Sequence, residues 1–305
     1  MTQPLQPNLK HLPLAPAQCI GHTLMSDKVA SIISQVSTEY STDSVLSNFL
    51  IKYRSWILSS NLNTVTGLDN FNVVCYSNGT TESFDHFYLR HSTKRFRCFK
   101  GEYLYHRLVW DSSLNYNWKF LEDDCLKIND AVVISLPFAD TGNQHHLYNK
   151  DFLDECVALN IPVLLDCAFF GICQNIDFDF THPAITDICF SLSKTFPVNN
   201  IRIGIRFTRN NYFDGLNVYQ NAGYVNLLGA AVGLKLLEEF NSDYTVINYK
   251  NKQLELCDYF KLTPSLSVIF GLDSEQRYNN YNRGMPNNNR ICFSKYFNSN
   301  DYPII

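Results

Sequence analysis

The chain has 305 residues, of which 45% are hydrophobic and 18% are charged, and its formal net charge is −4. This length suits one large domain and a smaller one, and the composition is ordinary for a globular protein. The slightly negative charge provides no basic field for nucleic acid, and no window is apolar and long enough to span a bilayer. We therefore expect neither nucleic acid nor a membrane as a partner.

The N-terminus and the cysteines indicate where the protein is found. Residues 1–18 are predicted to be a proline-containing arm, since they have no basic start, apolar core and cleavage site of a secretory signal. The ten cysteines include no CxxC pair, which disfavours a zinc site or a disulfide framework. Buried free thiols in a reducing compartment explain them best, so we expect a cytoplasmic protein without a metal.

The first predicted elements are two helices, a strand and a glycine turn. Apolar residues at helical spacing predict helices over Asp27–Glu39 and from a Thr42-Asp43 cap to Ile57. Phe71–Tyr76 is strand-like, and Asn78-Gly79-Thr80-Thr81 then opens a helical run. The free N–H groups of a helix start can bind an anion, and glycine lets the backbone approach it. Helix capping alone would also explain such a turn.

Strands and helices then alternate along the chain. The predicted strands are Arg95–Phe99, Asp130–Leu136, Ile161–Asp166, Ile185–Phe190 and Ile203–Phe207, and a helix covers Phe152–Leu159. Continuous apolar strands separated by helices indicate an α/β three-layer sandwich with a mainly parallel central sheet. In such sheets ligands bind beyond the carboxyl ends of the strands, where Gly79, Pro137 to Gly142, Asp166 and Lys194 fall.

The C-terminal part is predicted to form a smaller domain. An apolar stripe predicts one long helix over Tyr219–Phe240, and Ser267–Phe270 and Ile291–Phe293 are strand-like. We expect residues 44–240 to form a large domain that holds the ligand site. Residues 1–43, the arm and first helix, and a truncated segment 241–305 would form the small α+β domain.

A loop lysine stands out between two of the predicted strands. Ser191 and Ser193 precede Lys194, and Arg202 follows it. A lysine in a polar loop is usually a solvated charge. An amine close to hydroxyls and an arginine at one sheet edge nevertheless suits a phosphate-bearing aldehyde. The amine could form a Schiff base with the aldehyde while Ser191 and Arg202 hold the phosphate.

This order of parts resembles the fold type I pyridoxal 5′-phosphate (PLP) enzymes, specifically the class I/II aminotransferases, over about Tyr40–Phe293. The segment SLSKTFPVNNIRIG is similar to the family's Ser-x-Ser-Lys followed by Arg-x-Gly. The resemblance implies that Lys194 is the catalytic Schiff-base lysine and that Ser191 and Arg202 bind the cofactor phosphate.

A second similar segment is LLDCAFFG, where a strand ends in Asp166. The resemblance implies that Asp166 is a catalytic and cofactor-binding residue that pairs with the pyridine nitrogen. A carboxylate keeps this nitrogen protonated, so that the ring can accept electrons from the substrate. An aspartate at a strand end can also simply cap the following helix.

Two further segments look like cofactor-contacting parts of the family. The turn at Gly79, Thr80 and Thr81 looks like the phosphate-cradling turn. The segment KGEYLY is similar to the one whose aromatic side chain stacks on the cofactor ring, which implies this role for Tyr103, with Tyr105 as the alternative. An aromatic residue here is also common in a plain core.

Two residues carry the expectations about substrate and partner subunit. Asn289–Phe293 resembles the strand whose arginine binds the substrate α-carboxylate, which implies this role for Arg290; a solvated arginine is the alternative. Tyr40 lies where the family places a tyrosine that reaches the partner subunit's phosphate. The resemblance therefore implies a homodimer with its sites at the interface.

The sequence departs from the family at the cofactor's phenolic oxygen. The family's Asn-Pro-Thr-Gly is Ala139-Asp140-Thr141-Gly142 here, so the asparagine donor is lost unless Asp140 or Asn143 replaces it. Phe169 stands where the family has a donating tyrosine. Without these donors we expect the Schiff-base nitrogen to have a raised pKa.

The function implied by the resemblance is that of an aminotransferase, which moves the amino group of an α-amino acid to a keto acid through Lys194. Two alternatives stay open. One is another PLP reaction at the α-carbon (racemase, decarboxylase or lyase) in specialised biosynthesis. The other is a degenerate, non-catalytic protein with the same fold.

Overall fold

The structure is a computed structural model that describes residues 17–20, 23–36, 42–106, 118–282, 289–294 and 296–298. Its α-helices are α1 (Thr23–Val36), α2 (Thr42–Leu58), α3 (Thr80–Arg90), α4 (Lys150–Ala158), α5 (Gly215–Asn221), α6 (Leu227–Glu239) and α7 (Tyr244–Phe260). Within these ranges, no helix combines the length and apolarity needed to cross a membrane.

The strands form one large sheet and two small ones. They are β1 (Thr64–Thr66), β2 (Val73–Ser77), β3 (Arg95–Cys98), β4 (Trp118–Phe120), β5 (Asp130–Ser135), β6 (Val163–Asp166), β7 (Asp177–Asp179), β8 (Ile185–Ser191), β9 (Gly204–Thr208), β10 (Thr263–Pro264), β11 (Phe270–Asp273) and β12 (Asn289–Cys292). The large sheet has the order β2-β9-β8-β6-β5-β3-β4.

Apart from β9, the large sheet is parallel. The pairs formed by β3, β4, β5, β6 and β8 with one another are parallel, and β9 runs antiparallel to β2 and β8. Ser135 at the end of β5 pairs with Asp166 at the end of β6, which brings these two side chains to one sheet edge. The predicted fold class, with a mainly parallel central sheet, is confirmed.

Strand β5 shows why its sequence has no polar alternation. Val132 and Ile134 pack in the core that also contains α1, α2 and α6, whereas Ala131 and Val133 pack with α3 on the other face. Successive side chains of a strand point to opposite faces, so a strand covered on both faces needs apolar residues on both, as in the four residues between Asp130 and Ser135. The two cores thus form the two covered faces of the sheet.

A separate hydrophobic cluster holds the C-terminal elements together. It contains Leu256 and Phe260 of α7 and Ile291 of β12, and Ile20 from the N-terminal part joins it. Strands β10, β11 and β12 form an antiparallel sheet beside it. The domain boundaries stay a prediction; the buried residues of α1 pack with the large core.

The single helix predicted over Tyr219–Phe240 was wrong. The chain forms α5 and α6 instead, with a turn between them in which Gly223 has a φ of 75°. Asn226 then begins α6, because its side chain accepts a hydrogen bond from the backbone N–H of Gly229 at 2.8 Å. Asparagine is a favoured helix N-cap, and a left-handed glycine ends a helix. The sequence contains both signals, Gly223 and Asn226, but the apolar stripe that continues past them favoured a single helix.

The strand predicted at Ser267–Phe270 lies further along the chain, as β11. The side-chain amide of Gln253 in α7 donates to the carbonyls of Ser265, Ser267 and Phe270. These contacts hold the backbone in a turn, so the ladder with β12 starts only at Phe270. The strand therefore starts later than its sequence pattern predicts because of Gln253, a buried polar residue in another element.

The cysteines are distributed as the sequence indicated. All ten are free thiols; eight are buried, Cys19 is partly exposed and Cys125 is exposed. Buried thiols behave as small apolar side chains. In the part of the chain that the structure describes, no three histidine, cysteine or acidic side chains are grouped as metal ligands would be.

Candidate active site

A cavity of about 470 Å³ opens at the carboxyl ends of β5, β6 and β8. This volume is typical of small-molecule sites. Its lining residues are Ala17, Thr80, Thr81, Tyr103, Leu104, Ser135, Pro137, Ala139, Asp166, Ala168, Phe169, Ser191, Ser193, Lys194, Asn199, Arg202 and Arg290. The fold thus brings together residues that lie far apart in the sequence, at the edge where a parallel sheet binds its ligands.

Lys194 lies in the turn that follows β8. Backbone hydrogen bonds from Thr195 and Phe196 to the carbonyl of Leu192 fix this turn. The Lys194 Nζ donates to the carbonyl of Ala17 at 2.7 Å. Burial lowers the pKa of the Lys194 amine, and nearby Arg290 lowers it further. A lower pKa increases the fraction of neutral amine, which is the nucleophilic form.

Asp166 is buried at the end of β6, 6% exposed. Its Oδ1 accepts a hydrogen bond from the backbone N–H of Ala168 at 3.0 Å. Burial raises the pKa of Asp166 to about 7, against the opposing effects of the Ala168 N–H, of Lys194 and of the Thr80 hydroxyl. The next 3-10 turn begins after Phe169 without a side-chain cap, so Asp166 is not its N-cap.

The predicted phosphate-binding residues meet where β2 passes into α3. Gly79 has a φ of 77° and a ψ of −179°, a conformation nearly restricted to glycine. A Cβ at this position would lie 2.5 Å from Nη2 of Arg202. The Ser191 hydroxyl lines the same cavity and donates to Ser193 Oγ at 3.1 Å. The guanidinium, the hydroxyl and the free N–H groups of α3 are thus gathered together.

Arg290 in β12 is buried and lines the cavity, so it is not a solvated arginine. Its guanidinium donates a hydrogen bond to the carbonyl of Ala139 and lies 4.4 Å from the ring centroid of Phe270. These contacts hold a planar fork of donors at the cavity wall. Such a fork matches the geometry of a carboxylate.

The two candidate stacking aromatics have different surroundings. Tyr103 lines the cavity and is 46% exposed. Tyr105 is not among the lining residues; its hydroxyl donates to Asp85 at 2.6 Å. The structure therefore places Tyr103, and not Tyr105, at the cavity, and its stacking on a cofactor ring stays a prediction. Tyr40 lies outside the described residues.

The two departures from the family pattern both face the cavity. Ala139 and Phe169 both line it, and the ring of Phe169 packs 5.4 Å from that of Phe270. Asn143 does not line the cavity; its side-chain oxygen accepts from the backbone N–H of Leu266 at 2.8 Å. Asp140 is buried and is also absent from the lining. Neither residue lines the cavity, so the loss of the two donors stays a prediction.

Glu102 is a buried carboxyl bonded to Ser135 of the cavity lining, and no motif in the sequence marks it as a site residue. Its Oε1 accepts from the backbone N–H of Ser135 at 2.8 Å, and its Oε2 lies 2.5 Å from the Ser135 hydroxyl. Burial raises the pKa of Glu102 to about 8, and Asp166 adds to this shift. The only signal in the sequence is a charged residue directly before the candidate stacking tyrosine.

Comparisons with known proteins define the fold. No protein-family model and no curated protein matches the sequence. Among solved structures, the PLP-bound C-S lyase from Staphylococcus hominis matches with a TM-score of 0.68 and 11% identity, over 92% of this chain and 86% of that chain.

Two aminotransferases also share this architecture. The histidinol-phosphate aminotransferase from Clostridium acetobutylicum matches with a TM-score of 0.62 and 14% identity, over 92% of this chain and 95% of that one. Tyrosine aminotransferase from Leishmania infantum matches with a TM-score of 0.63 and 13% identity, over 96% and 93% of the two chains. The chain therefore has the fold of the fold type I PLP-dependent enzymes, as the resemblance of its motifs implied.

Proposed function

We propose that the protein is a PLP-dependent enzyme acting on α-amino acids, and specifically an aminotransferase. The observation that carries the proposal is the convergence of Lys194, Asp166, Arg202 and Arg290 on one cavity at the carboxyl edge of the sheet. An amine, a carboxyl and two guanidinium groups there match the aldehyde, ring nitrogen, phosphate and substrate carboxylate of a PLP site.

The residues of the cavity fit this cofactor. Asp166 is a buried carboxyl whose raised pKa reflects the lack of a sufficient cationic partner, and a protonated pyridine nitrogen is such a partner. Gly79 has no side chain where a Cβ would meet Arg202, which leaves backbone N–H groups and guanidinium accessible to a phosphate. Ser191 adds a hydroxyl on the same side.

The reaction would divide between the cofactor and the chain. PLP supplies an aldehyde carbon for the substrate amine and a ring that accepts electrons released at the α-carbon. Lys194 Nζ would take the proton from the substrate α-carbon, and its lowered pKa suits it to act as a base. Asp166 would stabilise a proton on the ring nitrogen. Arg290 would orient the substrate through its carboxylate.

The type of reaction is the finer part of the proposal. Structural neighbours include both aminotransferases and a C-S lyase, so the fold accommodates more than one outcome at the α-carbon. We favour transamination, with an α-amino acid and a keto acid as the two substrates. We also propose a homodimer in which Tyr40 reaches the partner subunit's site.

The proposal is tested by spectra of the purified protein mixed with PLP and then with single amino acids. We expect a visible absorbance band that Lys194→Ala abolishes, while Lys235→Ala, which removes an exposed lysine paired with Glu238, leaves it unchanged. Amino acids should then convert the cofactor to pyridoxamine phosphate with release of keto acid. If the protein takes up no PLP, the proposal of a PLP-dependent enzyme is refuted. Release of pyruvate and thiol from a cysteine derivative without pyridoxamine phosphate would instead indicate a lyase.

A further inference from the structure

We infer that Tyr76 and Asn226 are positioning residues for the cofactor phosphate, because together they fix the backbone on which Arg202 is mounted. The inference rests on the proposed PLP site and assigns a role to two side chains outside its lining. Neither lines the cavity; Tyr76 donates to the main-chain carbonyl of Arg202 and Asn226 to that of the preceding residue.

The backbone at Arg202 needs such support. Arg202 has a φ of 64°, in the left-handed region that non-glycine residues seldom adopt. A residue in this region is strained and keeps its conformation only when its surroundings determine it. The conformation matters because the guanidinium lies against Gly79, where a Cβ would come within 2.5 Å of Nη2. A different backbone angle would direct the side chain elsewhere.

Three consecutive carbonyls around Arg202 each accept a hydrogen bond. The Tyr76 hydroxyl donates to the carbonyl of Arg202 itself at 2.9 Å. The Asn226 side-chain amide donates to the carbonyl of Ile201, also at 2.9 Å. The carbonyl of Ile203 accepts from the backbone N–H of Leu192 at 3.1 Å. The peptide groups on both sides of Arg202 are therefore held.

The two donors come from elements that are themselves rigid. Tyr76 is 2% exposed in β2, and its ring packs against that of Phe49 with centroids 5.4 Å apart. Asn226 is the N-cap of α6, which fixes its side chain. Gly229 leaves room for the tyrosine hydroxyl, since a Cβ there would lie 2.2 Å from it. The support for Arg202 is thus built into strand and helix, rather than into the loop.

This arrangement couples the two halves of the phosphate site. Tyr76 lies three residues before Gly79, so the segment that presents the α3 N–H groups also holds the arginine opposite them. Preorganised donors do not have to be ordered when the ligand binds, which increases affinity for that ligand. The gain should apply only to ligands that carry a phosphate.

The test compares the affinities of full-length wild-type protein and of Tyr76→Phe for PLP and for pyridoxal, which lacks the phosphate. Both ligands can react with Lys194, and binding is followed by absorbance after removal of bound cofactor. We expect Tyr76→Phe to weaken PLP binding up to about tenfold, the effect of one lost hydrogen bond, and to leave pyridoxal binding unchanged.

A second variant and a matched control complete the test. Asn226→Ser keeps an N-cap hydroxyl for α6 but loses the amide that reaches Ile201, so it should show the same selective loss. Tyr53→Phe removes another buried tyrosine hydroxyl beside Phe49 and should bind both ligands as the wild type does. In an Arg202→Gln background, Tyr76→Phe should cause no further loss of PLP affinity.

The outcomes separate the two proposals. Unchanged PLP affinity in folded Tyr76→Phe and Asn226→Ser overturns the positioning role. An equal loss for PLP and pyridoxal also overturns it, because that pattern indicates general damage to the cavity. If the wild type binds neither ligand, it is the proposed function that fails. Should Tyr76→Phe not fold, the comparison passes to Asn226→Ser.

Discussion

Replacing Gly79 by alanine should separate backbone strain from cofactor binding. Gly79 combines a φ of 77° with a ψ of −179°, and a Cβ would meet Arg202 Nη2 at 2.5 Å and Cζ at 3.0 Å. The backbone strain should lower the free energy of unfolding by about 1–3 kcal/mol. The clash itself is relieved when the flexible guanidinium moves away, so it adds little to this loss.

Displacement of the Arg202 guanidinium should instead lower the affinity for PLP. Hydrogen bonds to charged groups are worth about 1.5–3 kcal/mol, which corresponds to a loss of PLP affinity of roughly 10- to 100-fold. Gly223→Ala is the matched control, because Gly223 has a φ of 75° and a Cβ there would have no heavy atom within 4 Å. Gly223→Ala should therefore lose stability through its left-handed backbone but bind PLP as the wild type does.

Urea unfolding and absorbance titration with PLP measure the two effects separately. Both variants should unfold at lower urea concentrations than the wild type, and only Gly79→Ala should lose PLP affinity. If folded Gly79→Ala binds PLP as tightly as Gly223→Ala, then Arg202 does not bind the phosphate beside this turn, and the reasoning is refuted.

Three further predictions concern Asp166, Phe169 and Arg290. In protein stripped of cofactor, the free energy of unfolding should fall as pH rises from about 4 to about 7, because the folded pKa of Asp166 is raised to about 7 and the folded state holds the proton longer. Asp166 contributes at most about 1.4 kcal/mol per pH unit to this slope, and Asp166→Asn should remove that contribution while the contribution of Glu102 remains. Equal slopes for the wild type and Asp166→Asn, measured by urea unfolding at a series of pH values, would contradict the raised pKa of Asp166. Phe169→Tyr supplies a phenol donor and should lower the pKa of the Schiff-base nitrogen, followed by a pH titration of the visible absorbance band. An unchanged pKa would show that the missing tyrosine does not control it. Arg290→Gln should raise the amino acid concentration for half-saturation roughly 10- to 100-fold in spectral titrations, with PLP uptake unaffected; an unchanged concentration would remove Arg290 from substrate binding.

The convergence of the cavity residues was predictable because it follows from topology. Parallel strands place their carboxyl ends at one edge, so motifs that follow strands must meet there. Lys194, Asp166 and Gly79 each follow an apolar run, and the structure places all three at one sheet edge. Their chemical roles stay predictions, since a shared edge does not establish what binds there.

Other features depend on contacts that leave no local pattern. The hydroxyl of Tyr76 and the amide of Asn226 act on carbonyls 126 and 25 residues away in the chain. Glu102 is buried because its partner Ser135 lies at the end of a neighbouring strand. The break at Gly223 was missed for another reason: the helical period continued through it, and a one-residue turn signal was outweighed by the longer pattern.

The eight buried thiols can be used to measure how the protein unfolds locally. A cysteine inside a core can be alkylated only when its surroundings open, so the rate of modification reports the free energy of that opening. Cys125 should react at once, whereas buried thiols on both sheet faces should react together if the sheet opens as one unit. The mass of the protein after timed alkylation would therefore show whether its layers come apart jointly or singly.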